Sequence, residues 1–174
     1  MKTKVLIVYG TRYGATAQIA ERISETLLER GVDVDLFEAG RAPDPAPYSA
    51  VVIGSAVYIG RWRREVSRFL KSNEKALSEK PVFLFSSGPT GEGDPVKLTR
   101  GWSFPGKLKP VADRIAPRDI ALFHGAIDTD NLNFLSKWMI RKVEAPSGDY
   151  RDWRMIESWA SGIADDVKRA DSAQ

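Results

Sequence analysis

Apolar residues along the chain fall into short β-rich blocks, separated by segments in which they recur at helical spacing. Lys4 to Tyr9 is a continuous apolar run, as expected for a central strand covered on both faces. Gly10 ends it, and a short polar loop leads into a stretch where Ile19, Ala20, Ile23 and Leu27 share one helical face. Glu21, Arg22, Glu25 and Glu29 look outward, and Gly31 is a suitable C-terminal cap. Val32 to Phe37 alternates as a second strand, Arg41 to Pro47 is a rigid Pro-rich connection, and Tyr48 to Gly54 gives a third, buried strand. Glu65 to Ala76 predicts a helix, and Pro81 to Phe85 a fourth strand. A long Gly/Pro-rich segment, Ser86 to Gly106, precedes a short helix from Leu108 to Ile115 and a fifth strand from Asp119 to His124. Two more helices are predicted, over Leu132–Val143 and Trp153–Arg169, with a frayed tail from Ala170.

Strands alternating with helices in this way call for an α/β fold: a parallel sheet with helices on both faces, hence a three-layer sandwich. Nothing marks a domain boundary, and residues 1–174 read as a single domain of ordinary apolar content. The absence of cysteine excludes disulfides, thiolate chemistry and iron–sulfur ligation. A net charge of +3 is too small to imply a nucleic-acid partner, and it argues mildly against a strongly acidic docking surface. The opening apolar run is too short for a signal peptide, and no stretch approaches the roughly 20 apolar residues that span a bilayer. The expectation is a soluble, cytoplasmic protein.

The segment Thr11-Arg12-Tyr13-Gly14-Ala15-Thr16 joins the first strand to the first helix. Free backbone N–H groups and the helix dipole converge there, so the place suits an anion. Thr11 and Thr16 add hydroxyls, and Gly14 permits a tight turn and close backbone approach. The plainer reading is a helix entry, with Thr11 or Thr16 as N-cap. Three other nucleotide or phosphate motifs fail by inspection. No Gly-Lys-Ser/Thr follows, Gly10 and Gly14 do not fit G-x-G-x-x-G, and the ends of strands one and three lack the acids of a phospho-acceptor site.

The segment from Thr11 to Thr16 resembles the flavodoxin fingerprint T/S-x-T-G-x-T, with Tyr13 where that pattern has a small hydroxyl residue. The resemblance implies the flavodoxin-like strand order 2-1-3-4-5, with ligands beyond the carboxyl ends of the strands. It also implies flavin mononucleotide (FMN), its phosphate held by Thr11, Arg12, Tyr13, Gly14, Ala15 and Thr16. Two further loops would then hold the flavin ring. Ala56, Val57, Tyr58, Ile59 and Gly60 follow the third strand, and Ser87, Gly88, Pro89 and Thr90 follow the fourth. Tyr58, Ile59 and Trp62 are candidates for apolar walls; Ser87, Gly88 and Thr90 are candidates for edge contacts. Gly60 is a candidate for a carbonyl turned toward the ring. Ordinary loop packing and turn chemistry explain each of these residues equally well when taken singly.

Val52-Ile53-Gly54-Ser55-Ala56, Tyr58-x-Gly60, His124-Gly125-Ala126, Trp138-Met139-Ile140 and Ser147 to Trp153 are similar to the menaquinone-dependent protoporphyrinogen oxidase-like branch of flavodoxin domains. That branch implies a redox donor and acceptor, porphyrinogen and quinone, and peripheral contact with the inner face of the membrane. Leu132 to Val143 with Lys137, Arg141 and Lys142, and Lys97 to Lys109 with Trp102 and Phe104, are the candidate surfaces for it. A core-covering helix and a solvated loop are their plainer readings. Arg61, Arg63 and Arg64 are candidates for steering an anionic substrate, and a solvated helix entry is the alternative. His124 is the only histidine, so two-histidine metal motifs are impossible. An electron carrier serving a protein redox partner stays open beside the enzyme.

Overall fold

The computed structural model describes residues 3–128 and 147–173. Five parallel strands, β1 (Lys4–Gly10), β2 (Asp33–Glu38), β3 (Ala50–Tyr58), β5 (Val82–Ser87) and β6 (Asp119–Phe123), pair in the spatial order β2-β1-β3-β5-β6. Counted along the chain this is the expected 2-1-3-4-5. A short strand, β4 (Arg61–Trp62), folds back antiparallel on the end of β3. Helices α1 (Ala15–Glu29) and α6 (Trp153–Ser172) cover one face. The other carries α2 (Arg64–Ser72), α3 (Glu74–Ser78) and α5 (Lys109–Ile115). The single-turn helix α4 (Pro95–Leu98) lies in the long connection before α5.

The period-two geometry of a strand assigns the core residues to layers. Val5, Ile7, Val52, Phe83 and Phe85 face Ile19, Ile23 and Leu27 of α1 and Ile156, Ile163 and Val167 of α6. Leu6, Val8, Val51, Ile53 and Leu84 face Val66, Leu70 and Leu77 on the other side, with Val111 and Ile115 of α5. Each such aliphatic side chain stabilises the fold by roughly 1.5–3 kcal/mol through its removal from water. Gly54 lies at the middle of the sheet because the Phe85 ring rests on it: a Cβ there would fall 1.9 Å from Phe85 Cζ. Phe85 in turn tilts against Phe123 (centroids 5.7 Å apart) and meets Trp159 edge-on at 6.0 Å.

Several boundaries differ from expectation. The helix predicted over Glu65–Ala76 is two, because Asn73 turns its side-chain amide back to the Phe69 carbonyl at 2.9 Å and ends α2 there. Strand β3 runs four residues past Gly54 because β4 pairs with its end, and β5 includes Ser86 and Ser87 because both pair with β3 and β6. The fifth strand stops at Phe123. Helix α6 continues to Ser172 instead of fraying from Ala170: Asp171 accepts a hydrogen bond from Thr3, and Ser172 donates to the Lys168 carbonyl at 2.9 Å. The helix expected at Leu132–Val143 lies outside the described residues. Among the described residues, no helix is long and apolar enough to cross a membrane.

The Pro-rich connection before β3 is fastened by Lys80. Its ammonium donates to the carbonyls of Pro45 (2.7 Å), Ala46 (2.8 Å) and Tyr48 (2.9 Å), and burial holds its pKa below the ordinary lysine value. Lys80→Met removes all three bonds and leaves carbonyls facing an alkyl chain. We expect it to lower the unfolding free energy by about 1–3 kcal/mol, read as an earlier midpoint in urea at unchanged slope.

Nearby, the Tyr48 hydroxyl donates to Asp35 at 2.7 Å. Burial and that carboxylate push its pKa up to about 12, while Lys4 and Tyr48 together hold Asp35 below its usual value. A phenol with a raised folded-state pKa contributes stability that is complete below the unfolded value near 10 and is lost as pH rises through about 12. Tyr48→Phe should abolish this alkaline loss, and a tyrosinate absorbance titration of the native protein should lack its highest transition.

Candidate functional site

The carboxyl ends of β1, β3, β5 and β6 deliver the loops singled out in the sequence to one edge of the sheet. After β1, the loop Thr11–Gly14 folds on itself: the Gly14 N–H donates to the Thr11 hydroxyl at 2.9 Å, and the Gly14 carbonyl accepts from Gln18 N–H at 3.1 Å. Gly14, at φ +94°, is the N-cap of α1, so neither threonine takes that position and no side chain caps the helix. Thr16 sits in the first helical turn, almost fully buried. The first-turn amides of Ala15, Thr16 and Ala17 therefore carry the orphan donors of a helix start. Nothing lies within 4 Å of where a Gly14 Cβ would stand, so the backbone at the helix start is open to approach on that side. An uncapped helix start facing open space fits a phosphate.

After β3 the chain makes a hairpin. Ala56, Val57 and Tyr58 belong to the strand itself, with Val57 opposite Trp62 and Tyr58 opposite Arg61. Ile59 and Gly60 form its two-residue tip at φ +49° and +65°, the conformation of the turns that match strand twist. Ile59 is 75% exposed, although a β-branched residue is ill suited to that backbone region. Ser55 fixes the hairpin's return by accepting the Arg63 N–H at 2.9 Å. Trp62 is no cleft wall. It is buried, donates to the Ser86 hydroxyl at 2.8 Å and meets Phe104 edge-on at 5.0 Å. Phe104 is thereby drawn against the core, while Lys97, Arg100, Lys107 and Lys109 stay exposed.

After β5, Ser87 ends the strand and is buried; Gly88, Pro89 and Thr90 are half-buried. Backbone bonds tie this turn to the end of β6, Gly88 N–H to Phe123 carbonyl and Gly125 N–H to Pro89 carbonyl. Glycines keep the approach close: a Cβ on Gly125 would lie 3.1 Å from Gly88 Cα, and one on Gly88 would lie 3.3 Å from Val57 Cβ, so either would press its neighbour back. His124 pins the same turn from beneath, its Nδ1 3.1 Å from the Pro89 carbonyl and its Nε2 2.7 Å from that of Gly93. Its role is to hold the loop.

Two arginines close the site. Arg12 reaches from the first loop to the second, its guanidinium 4.8 Å from the centre of the Tyr58 ring and 5.3 Å from that of Tyr13. Arg151 bonds both carboxylate oxygens of Asp149 (2.8 and 2.7 Å), stacks on Trp153 at 4.6 Å, and donates to the Ala15 carbonyl and to Gln18 in α1. Arg151 holds the Asp149 carboxyl below its usual range. Arg151 thus moors the pair β7 (Ala126–Ile127) and β8 (Gly148–Asp149) to the first turn of α1. Its role went unread in the sequence; the alternation Asp149-x-Arg151, which puts both side chains on one side of an extended chain, was the signal. Of the other candidate arginines, Arg63 pairs with Glu65 at 3.0 Å, and Arg61 and Arg64 are exposed. Among the described residues no group of acids and histidine is placed to hold a metal.

A parallel α/β sheet in this order, with an open helix start after β1 and flanking loops after β3 and β5, is the architecture of the flavodoxin fold. The chain belongs to the flavodoxin domain family, whose model matches residues 6–153. FMN is the cofactor of that family, and the open helix start after β1 fits its phosphate. The chain is similar to the protoporphyrinogen IX dehydrogenase [quinone] of Escherichia coli K12, 24% identical over 172 residues, covering 92% of this chain and 94% of the relative. A flavodoxin from the domain Archaea shares the fold with a TM-score of 0.63 at 15% identity, over 95% of this chain and 99% of that one. The rubredoxin oxygen:oxidoreductase of Desulfovibrio gigas matches with a TM-score of 0.61 at 16% identity, over 97% of this chain but 37% of that larger protein.

Proposed function

We propose that this chain is an FMN-dependent dehydrogenase that oxidises a protoporphyrinogen-type substrate and passes the electrons to a quinone. The observation that carries this reading is the near end-to-end similarity to the Escherichia coli enzyme, over 92% of this chain and 94% of that one. FMN supplies the electron acceptance when bound; the protein supplies place and access. Its phosphate would be held before α1 by the first-turn N–H groups and the loop backbone of residues 11–16, beside the hydroxyls of Thr11 and Thr16 and the open side of Gly14. Ala56, Val57, Tyr58, Ile59 and Gly60 on one side and Ser87, Gly88, Pro89 and Thr90 on the other would hold the ring. Backbone bonds and close glycine contacts tie the turn after β5 to the end of β6 and to Val57, which pre-forms that side of the site.

The test is anaerobic. Protein loaded with FMN should bleach on addition of protoporphyrinogen IX and regain its yellow colour with menadione. Failure to bleach, together with rapid electron exchange with a ferredoxin, would instead make it a carrier between proteins. A chain that takes up no FMN would sink both.

A further inference from the structure

Arg12 differs from the other cations around the site. Arg22, Arg63 and Arg151 have carboxylate partners in Glu157, Glu65 and Asp149 at 2.7–3.0 Å. Arg12 has none among the described residues; instead its guanidinium lies over two tyrosine rings, one from its own loop and one from the end of β3. Stacking of this kind holds a guanidinium by its faces and leaves its N–H edge for a ligand. An exposed arginine on a flexible side chain would otherwise lose much rotamer freedom on meeting an anion, and the two rings reduce that cost in advance. The guanidinium is also drawn toward Tyr58, on the hairpin proposed as a wall of the flavin ring.

We propose that Arg12, held by Tyr13 and Tyr58, is a carboxylate-binding residue for the reducing substrate at the mouth of the flavin cleft. This rests on the flavin reading above. A planar carboxylate takes the guanidinium edge in two parallel hydrogen bonds, so acidic substrates would be preferred over their esters.

The probes are deuteroporphyrin IX and its dimethyl ester, titrated into FMN-loaded protein and followed by quenching of tryptophan fluorescence. FMN and riboflavin are titrated into the apoprotein in parallel. The free acid should bind wild type more tightly than the ester, and Arg12→Met should weaken the acid by about 10-fold or more while leaving the ester alone. Arg12→Lys should restore only part of the difference, since an ammonium neither stacks flat nor bonds in a fork. Tyr58→Leu should weaken the acid less than Arg12→Met does. The ratio of FMN to riboflavin affinity should be unchanged in Arg12→Met. A fall in that ratio would assign Arg12 to the cofactor phosphate and overturn the proposal, as would equal binding of acid and ester by wild type. Absence of FMN uptake by wild type overturns the flavin reading itself and is seen first, in the flavin titration.

Discussion

Replacing Gly14 by valine is expected to reduce FMN affinity by on the order of 100-fold, while far-ultraviolet circular dichroism stays that of wild type. Two effects add. At φ +94° an L-residue is strained by about 1–3 kcal/mol, and a β-branched one lies at the upper end. The apoprotein relieves that strain by letting the loop move, but a bound phosphate requires the original path and so must restore it. The second effect is steric. Nothing lies within 4 Å of a Gly14 Cβ, so the valine methyls would stand in the open approach to the helix start, where the proposed phosphate would come. Thr16→Ala should cost far less, because Thr16 is buried in the first helical turn and the backbone donors survive its loss. Quenching of flavin fluorescence on titration measures both. Unchanged affinity in Gly14→Val would mean that the anion sits elsewhere.

The largest effect on stability should come from one added methyl. Gly54→Ala places a carbon 1.9 Å from Phe85 Cζ, and Phe85 is fully buried between Phe123 and Trp159 with nowhere to turn. Overpacking commonly costs about 1–3 kcal/mol, and a clash this deep belongs at or above the top of that range. For a chain of this size that is a fall in Tm of roughly 6–12 °C. Phe85→Leu alone should also destabilise, by leaving a void. The double variant should be more stable than the sum of the two losses allows, since the smaller side chain makes room for the methyl. Strict additivity in thermal unfolding would show that the glycine is needed for some other reason.

The frame of the molecule was legible because its strands are buried on both faces and its long helices on one. Val5 to Val8 and Val51 to Ile53 read as central strands, and Ile19, Ile23 and Leu27 as a helix face, and each lies where that pattern puts it. What escaped was set by pairing partners rather than by local pattern. Ser86 and Ser87 have the composition of a turn, yet they are strand residues because β3 and β6 flank them. The hairpin to β4 went unread because Ile-Gly is not a usual tip sequence, and Arg61-Trp62 is too short to register as a strand. Trp62 looked like a cleft wall and is core, for the same reason: the fold-back turns its ring toward Ser86. Helix breakage at Asn73 depends on one amide choosing a carbonyl, which no periodicity reports. At the site, the loops were identifiable from where they sit between elements. The Arg12–Tyr58 and Arg151–Gln18 contacts join residues far apart in sequence and had no local trace.

The extension of β3 beyond its neighbours has a consequence for how such a protein diversifies. The hairpin grows out of the most deeply paired strand, so its base is anchored by the whole sheet, while Ile59 and Gly60 at its tip touch little else. Frame and tip are thus nearly independent under mutation. Drift at the exposed Ile59 can reshape the hairpin tip without loosening the core, and on the proposed function a lineage could exchange one electron donor for another there while its fold stays as it is.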